Sequence, residues 1–316
     1  MERRKLQATG GSSLTLTLPK VWLDRWGLKS KEEVLVNANG PTLLIKPAHT
    51  SKKQTTVDIT LDGKKNEWII REIIGAYISG TDRITLSASR ITPEQNATIR
   101  QAIQQLFGYE ILEESSNSIV AHNVVDNSLF PAVENTRRVF DICRSMLIDA
   151  LRAAQTGDKE LGHDVVLRDQ EVNKLVYTIS RRFTQVANGR AEGNLNEISF
   201  YANVALQLER IGDRAVLIGN LASKELTGPV QVSNSFPAIR DGITDLFDQV
   251  GNLLKTPNII AAHKILDQNA VLEPLMYSSK RIKQTYEGAT VEDTLDRLRG
   301  RLMNIAELTI DFLMQP

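Results

Sequence analysis

The sequence predicts a multidomain chain in three parts: a small β-rich head over residues 1–50, a small α/β domain over 54–127, and an all-helical body over 128–316 built as two three-helix bundles. Three observations carry this. Before residue 50, short runs alternate apolar and polar residues, the period of a half-buried strand. Between 54 and 127, strand-like and helix-like periods follow one another. From there on only the 3.6-residue period recurs, twice over, in three helices each time.

In the head, Leu14, Leu16 and Leu18 alternate with Thr15 and Thr17 as in a strand. Pro19 then opens a short helix, KVWLDRW, because its fixed φ suits a first helical position, and Gly27 stops it. EVLVNANGPTLLIKP reads as a hairpin turning at Ala38–Gly40. About 45 residues with no cysteine or metal framework are too few to close a core, so a second copy is expected to complete it.

In the middle segment, Val57–Leu61 reads as a strand. Asn66–Ser79 reads as a helix with Ile69, Ile70, Ile73, Ile74 and Tyr77 at helical spacing and Gly80 as its stop. After a strand at Arg83–Leu86, Thr92 caps a second helix, Pro93 takes its first position, Ile99, Ile103 and Leu106 face inward, and Gly108 ends it. Strands at Tyr109–Glu113 and Ser118–Val125 complete a β-α-β-α-β-β order. There is no Gly-rich phosphate loop or nucleotide fingerprint. The segment reads equally as a spacer or as a ligand-sensing domain.

The body's first repeat, 128–224, is expected as helices at 129–155, 159–190 and 194–223. The second, 234–316, is expected at 235–254, 258–286 and 290–314. LERIGDRAVLI aligns with LDRLRGRLMNI at 295–305, and the DQ at 169–170 with the DQ at 267–268. Pro274 should kink or break the helix that holds it.

Composition is that of a soluble globular protein, with 41% hydrophobic and 24% charged residues over 316 positions. The single Cys143 excludes an internal disulfide and falls in the apolar helical pattern VFDICRSMLIDAL, which makes it a small core residue of a chain in a reducing compartment. No apolar stretch approaches the roughly 18 to 20 residues that span a bilayer, and MERRKLQATGG lacks a signal peptide's apolar core. A cytoplasmic protein without membrane insertion is expected. The net charge of zero hides an asymmetry: residues 1–53 hold ten Lys/Arg against four Asp/Glu, residues 54–127 hold six against ten, and the remainder 22 against 24. A basic head on a neutral body points toward nucleic acid.

The most pointed feature is LQLERIGDRAVLIGNL, residues 206–221. Glu209 and Asp213 stand four apart on a stripe otherwise made of Ala202, Leu206, Gly212 and Val216. In RDQEVNKLVYTISRR, Asp169 and Asn173 likewise share a face with Val165, Val166, Val176 and Tyr177. Two oxygen-bearing rungs on successive helices make a nest for a hard cation. An internal network with arginine is the rival, although Arg210 and Arg214 are rotated about 100° away and can serve an outer face.

These two segments resemble the PhoU family of phosphate-uptake regulators, and the resemblance covers residues 129–314. It implies helical bundles that repeat a Glu/Asp-x-x-x-Asp metal motif, carried here by Asp169, Asn173, Glu209 and Asp213, with an amide at Asn173 where the family usually has an acid. In the second repeat Val271 and Gly300 replace two of the four, leaving a weaker site at Asp267 and Asp296 in a mainly structural unit. Oxygen ligands suit Mg²⁺, Mn²⁺ or ferric iron, and the resemblance also admits zinc.

The head's order of strand, GGSS, LTLTLP, short helix, GL and hairpin is similar to the AbrB/SpoVT family of swapped-hairpin DNA-binding domains. The resemblance implies two interlaced chains forming one barrel. Arg3, Arg4, Lys5, Lys20 and Arg25 are the cations best placed to meet phosphates.

An enzyme is not expected. His49, His122, His163 and His263 lack metal-ligand spacing, Cys143 lacks a local histidine, and no basic phosphate clamp stands beside the carboxylates. The combination resembles archaeal phosphate-uptake regulators and implies a homodimeric, DNA-binding transcriptional regulator with a metal-binding sensor body. The alternative is a cytosolic adaptor that restrains a phosphate transporter through protein contacts without binding DNA.

Overall fold

The computed structural model describes residues 3–11, 13–39, 41–48, 54–125, 131–225, 228–279 and 285–315. It divides into two compact units, Met1–Gln54 and Thr55–Pro316. The expected turn residue Gly40, Ser12 of the GGSS motif and His49 lie outside the described residues.

In the first unit, β1 (Gln7–Thr9) pairs antiparallel with β2 (Ser13–Thr15), and β3 (Val34–Asn39) with β4 (Thr42–Pro47). Between the pairs lies α1, Lys20–Trp26. The strand expected through Leu18 therefore stops at Thr15. Pro19 sits before α1 rather than in it, extended at φ −60° and ψ 129°, and its carbonyl accepts from the backbone N–H of Trp22 and Leu23. Gly27 ends α1 at φ 66°, a left-handed conformation that costs glycine little. No residue of this unit whose side chain is described is buried: Leu14 is 62% exposed, Val21 70% and Leu43 56%.

The second unit opens with β5 (Thr56–Thr60), α2 (Asn66–Ile78), β6 (Arg83–Ser87), α3 (Pro93–Gln104), β7 (Tyr109–Glu114) and β8 (Ser118–Asn123), in the order expected. The sheet runs β5-β6-β8-β7, with β5 and β6 parallel and the other pairs antiparallel. Thr92 and Gln95 form a reciprocal capping box, each side chain accepting the other's backbone N–H. Ile69, Ile73, Ile84, Leu86, Ile99 and Ile119 close the core beneath α2 and α3.

The body follows as α4 (Ala132–Thr156), α5 (Lys159–Ala187) and α6 (Leu195–Asn220), the last extended by a π turn at Leu221–Glu225. Next come α7 (Phe236–Lys255), α8 (Ile259–Asp267), α9 (Asn269–Ser279) and α10 (Tyr286–Leu313). Two boundaries differ from expectation. The helix expected over 258–286 breaks at Gln268, whose carbonyl accepts from Val271 and Leu272, and Pro274 sits inside α9 beyond that break. The last helix starts at Tyr286 rather than 290 because the Thr285 hydroxyl accepts the Gly288 N–H and fixes the first turn. The repeats pack α4 on α7 through Phe140 and Phe247, and α6 on α10 through stacked Phe200 and Phe312.

Candidate cation site and basic head

Asp169 of α5 and Glu209 and Asp213 of α6 act on one another electrostatically across the α5–α6 crossing. On α5, Asn173 Nδ2 donates to Asp169 Oδ2 at 2.7 Å, while Asp169 Oδ1 is buried with no hydrogen-bond partner. At Gly212 of α6 an added Cβ would make ordinary contacts, 3.5 Å from Cys143 Sγ, 3.6 Å from Val172 and 3.7 Å from Asp169 Oδ1, so this stretch of α6 lies directly over α4 and α5. Glu209 and Asp213 stand on either side of Gly212. Glu209 is half-buried, but Asp213 is exposed, as is Leu206, so the stripe runs along the margin of the core rather than inside it. Cys143 lies beneath as a buried thiol that donates to the Leu208 carbonyl at 3.2 Å.

The face is electrostatically negative. Burial raises the Asp169 carboxyl above its ordinary pKa and Asp213 raises it further, with the Asn173 hydrogen bond opposing. Burial, then Asp213 and Asp169, raise Glu209 against the pull of Arg210 and Arg301. The Tyr177 hydroxyl on the same face is raised by burial and then by all three acids. The arginine-network reading rests on little: Arg210 Nε is 3.4 Å from Glu209 Oε2 at an exposed rim, and Arg214 makes no ion pair among the described residues. Among the described residues, no three His, Cys, Asp or Glu side chains converge closely enough to enclose an ion.

The second repeat is in a different register from the one its DQ dipeptide suggests. Asp158 caps α5 by accepting from Leu161, and Asn258 caps α8 by accepting from Ala261. In this frame buried Gly162, Val165, Val172 and Val176 correspond to buried Ala262, Ile265, Leu272 and Met276. Asp169 therefore corresponds to Asn269, and Asn173 to Glu273. The expected ligand Asp267 is exposed at the end of α8, two residues out of place. Asn269 Nδ2 donates to Glu273 Oε2 at 3.3 Å and its Oδ1 is buried without a partner, repeating the first rung's pattern. Counting from the two helix caps gives this register, which differs by two residues from that of the DQ dipeptide. Asp296 is held by Arg299, Nη2 at 2.9 Å and Nε at 3.1 Å, an ion pair that leaves its carboxylate engaged.

In the head, Arg3, Arg4, Lys5, Lys20 and Arg25 are all exposed. Arg4 Nη1 donates to Thr17 Oγ1 at 3.2 Å. Arg3, Lys5, Lys20 and Arg25 make no ion pair among the described residues. The unit thus presents cations free to meet an external anion.

Residues 136–222, the segment that contains this crossing, match the family described as PhoU domain. Residues 7–53 match the family described as antidote-toxin recognition MazE, bacterial antitoxin. Among solved structures, PhoU from Pseudomonas aeruginosa superposes with a TM-score of 0.51 at 16% identity, over 58% of this chain and 95% of that one. The phosphate transport system regulatory protein PhoU from Streptococcus pneumoniae superposes at 0.52 and 14% identity, over 59% and 95%. No curated protein matches the chain in sequence. The helical body has the PhoU fold, and the head is a MazE/AbrB-like domain.

Proposed function

We propose that this chain is a regulator of phosphate uptake: a dimeric head engages DNA, and a PhoU-fold body carries a cation site that tunes it. The carrying observation is the head itself, four cations with no ion-pair partner among the described residues beside apolar residues that one copy leaves unburied. A second copy covers the leucines and leaves the cations facing phosphates. In the body, Asp169, Asn173, Glu209 and Asp213 hold a hard cation such as Mg²⁺, Mn²⁺ or ferric iron, or zinc; the buried, unpartnered Asp169 Oδ1 and the mutually raised carboxylates support this. The cation supplies positive charge where three acids crowd, and the side chains orient it. The protein acts in the cytoplasm, as a regulator and not an enzyme. No described helix is long and apolar enough to cross a membrane.

The test is retention on random-sequence duplex DNA across a salt series. Retention at low salt that falls steeply with added salt supports the proposal. A dimer indifferent to DNA even at low salt leaves the adaptor reading, in which the head only dimerises and the body restrains the cytosolic part of a phosphate transporter.

A further inference from the structure

We propose that the cavity at the seam between α3, β7 and α5 binds a small organic anion with a flat apolar body, at a site separate from the carboxylate face and independent of the DNA reading. Its volume of about 550 Å³ falls within the roughly 300–1,000 Å³ usual for small-molecule sites. Ile103, Phe107, Ile111, Val124 and Val125 make an apolar lining, and the end of α3 and the start of β7 form its walls. Those walls are fixed by neighbours. The Tyr77 hydroxyl donates to the Phe107 carbonyl at 3.1 Å, and the Val124 N–H to the Gly108 carbonyl at 2.7 Å. Gly108, at φ 77°, lies so near the Val125 side chain that an added Cβ would come within 2.9 Å of it.

The charges at the rim decide the sign of the ligand. Arg100 is already bound by Glu114. Glu110 lines the rim from β7, but its cross-strand partner is His122, while Ile111 pairs with Ala121; strand alternation turns the Glu110 side chain toward the other sheet face from Tyr109 and Ile111. Lys174 remains. It is half-buried and makes no ion pair among the described residues; its ammonium makes only a 3.4 Å donation to the Gln104 carbonyl and a cation–π contact 5.9 Å from the Phe107 ring centroid. A lysine with a half-buried stem and an exposed ammonium that has no counter-ion among the described residues, beside an apolar cavity, is matched by a ligand that brings an anion on an apolar body. β7 is an edge strand, so backbone groups on its outer side are also open to a ligand. Lys174 directly follows Asn173, so the ligand would rest on the helix that carries the Asp169–Asn173 rung.

The test is calorimetric titration of the full chain with 2-naphthoate and with 2-naphthamide, its neutral isostere. Naphthoate should bind at one site per chain, about tenfold tighter than the amide. Lys174→Met, which keeps the apolar stem, should remove that preference, and Lys174→Arg should keep it. Val124→Trp, at an exposed lining position, should block both ligands without lowering the melting temperature. Equal affinity for acid and amide, no saturable binding at millimolar ligand, or binding unchanged in both Lys174→Met and Val124→Trp would overturn the proposal.

Discussion

Arg181 engages Tyr77 twice: its Nη1 donates to the Tyr77 carbonyl at 2.7 Å, and its guanidinium carbon lies 4.9 Å from the Tyr77 ring centroid. The same nitrogen donates to the Thr81 carbonyl at 2.7 Å, Nη2 is 3.5 Å from Asp82, and the Tyr109 ring lies at 5.6 Å. Tyr77 stands in the last turn of α2, where backbone carbonyls lack helical partners and a cation is favoured. A fully buried arginine of α5 therefore caps a helix of the α/β region, joining it to the bundle.

Replacing Arg181 with Met should leave both carbonyls without this donor. The Tyr77 carbonyl keeps the Gly80 N–H and the Thr81 carbonyl keeps the Tyr109 hydroxyl, so what is lost is the pair of charged donations, and urea unfolding should show a loss of about 1–3 kcal/mol. Lysine should restore only part, since it cannot reproduce the planar fork. A loss below about 1 kcal/mol would mean that Arg181 is not the joint.

Two glycines make an opposed pair of tests. A Cβ on Gly219 of α6 would lie 2.8 Å from the Gly162 carbonyl oxygen of α5, so Gly219→Ala should force the helices apart and destabilise by about 1–3 kcal/mol. Gly300 in α10 has nothing within 4 Å of an added Cβ, and Gly300→Ala should instead stabilise by about 1 kcal/mol. Thermal melts that rank the two the other way would refute this account of the α5–α6 crossing.

How much of this was legible in the sequence follows the range of each signal. Thr92 and Pro93 act locally and mark the start of their helix in any context, whereas Gly108, expected as its end, lies beyond the last helical residue Gln104 and the cap at Gln105. The Glu209–Asp213 and Asp169–Asn173 rungs are visible as spacing, yet their depth is not: whether Asp213 points in or out depends on how α6 rolls against α5, whose close backbone approach is at Gly162 and Gly219. The Thr285 cap starts the last helix at Tyr286, one turn before the expected 290. Arg181 gave no local signal, because its partners Tyr77 and Thr81 are about a hundred residues away and are backbone carbonyls.

The head should associate. With Leu6, Leu14, Leu16, Leu35 and Leu43 all exposed, these leucines remain in water unless a second copy covers them. Sedimentation at micromolar concentration should give a dimer or larger, and Leu14→Asp should shift it toward monomer; a monomeric wild type would defeat the idea.

DNA retention should depend on phosphate neutralisation more than on sequence. Arg4→Ala with Lys5→Ala should weaken binding to all duplexes alike and lower the logarithmic salt slope by about one unit for each phosphate that is no longer neutralised. A change confined to one DNA sequence would instead indicate base readout by these residues.

The carboxylate face makes the cation-free protein sensitive to pH in a definite direction. Asp169 and Glu209 are both raised, so the folded chain holds their protons more tightly than the unfolded chain does. Their contribution to stability is therefore complete below the ordinary carboxylate pKa and is lost as pH rises through the raised folded values. In chelator, Asp169→Asn should then melt higher than wild type at neutral pH, with the difference disappearing under acid conditions. With Mn²⁺ added, wild type should gain more stability than Asp169→Asn, because an ion bound only by the native state stabilises it by mass action. Asp213→Ala should lower the bound metal, whereas Asp296→Ala should not, its carboxylate being held by Arg299. If Asp169→Asn melts lower than wild type by the same amount with chelator and with Mn²⁺, Asp169 serves the packing of α5 against α6 and not a cation.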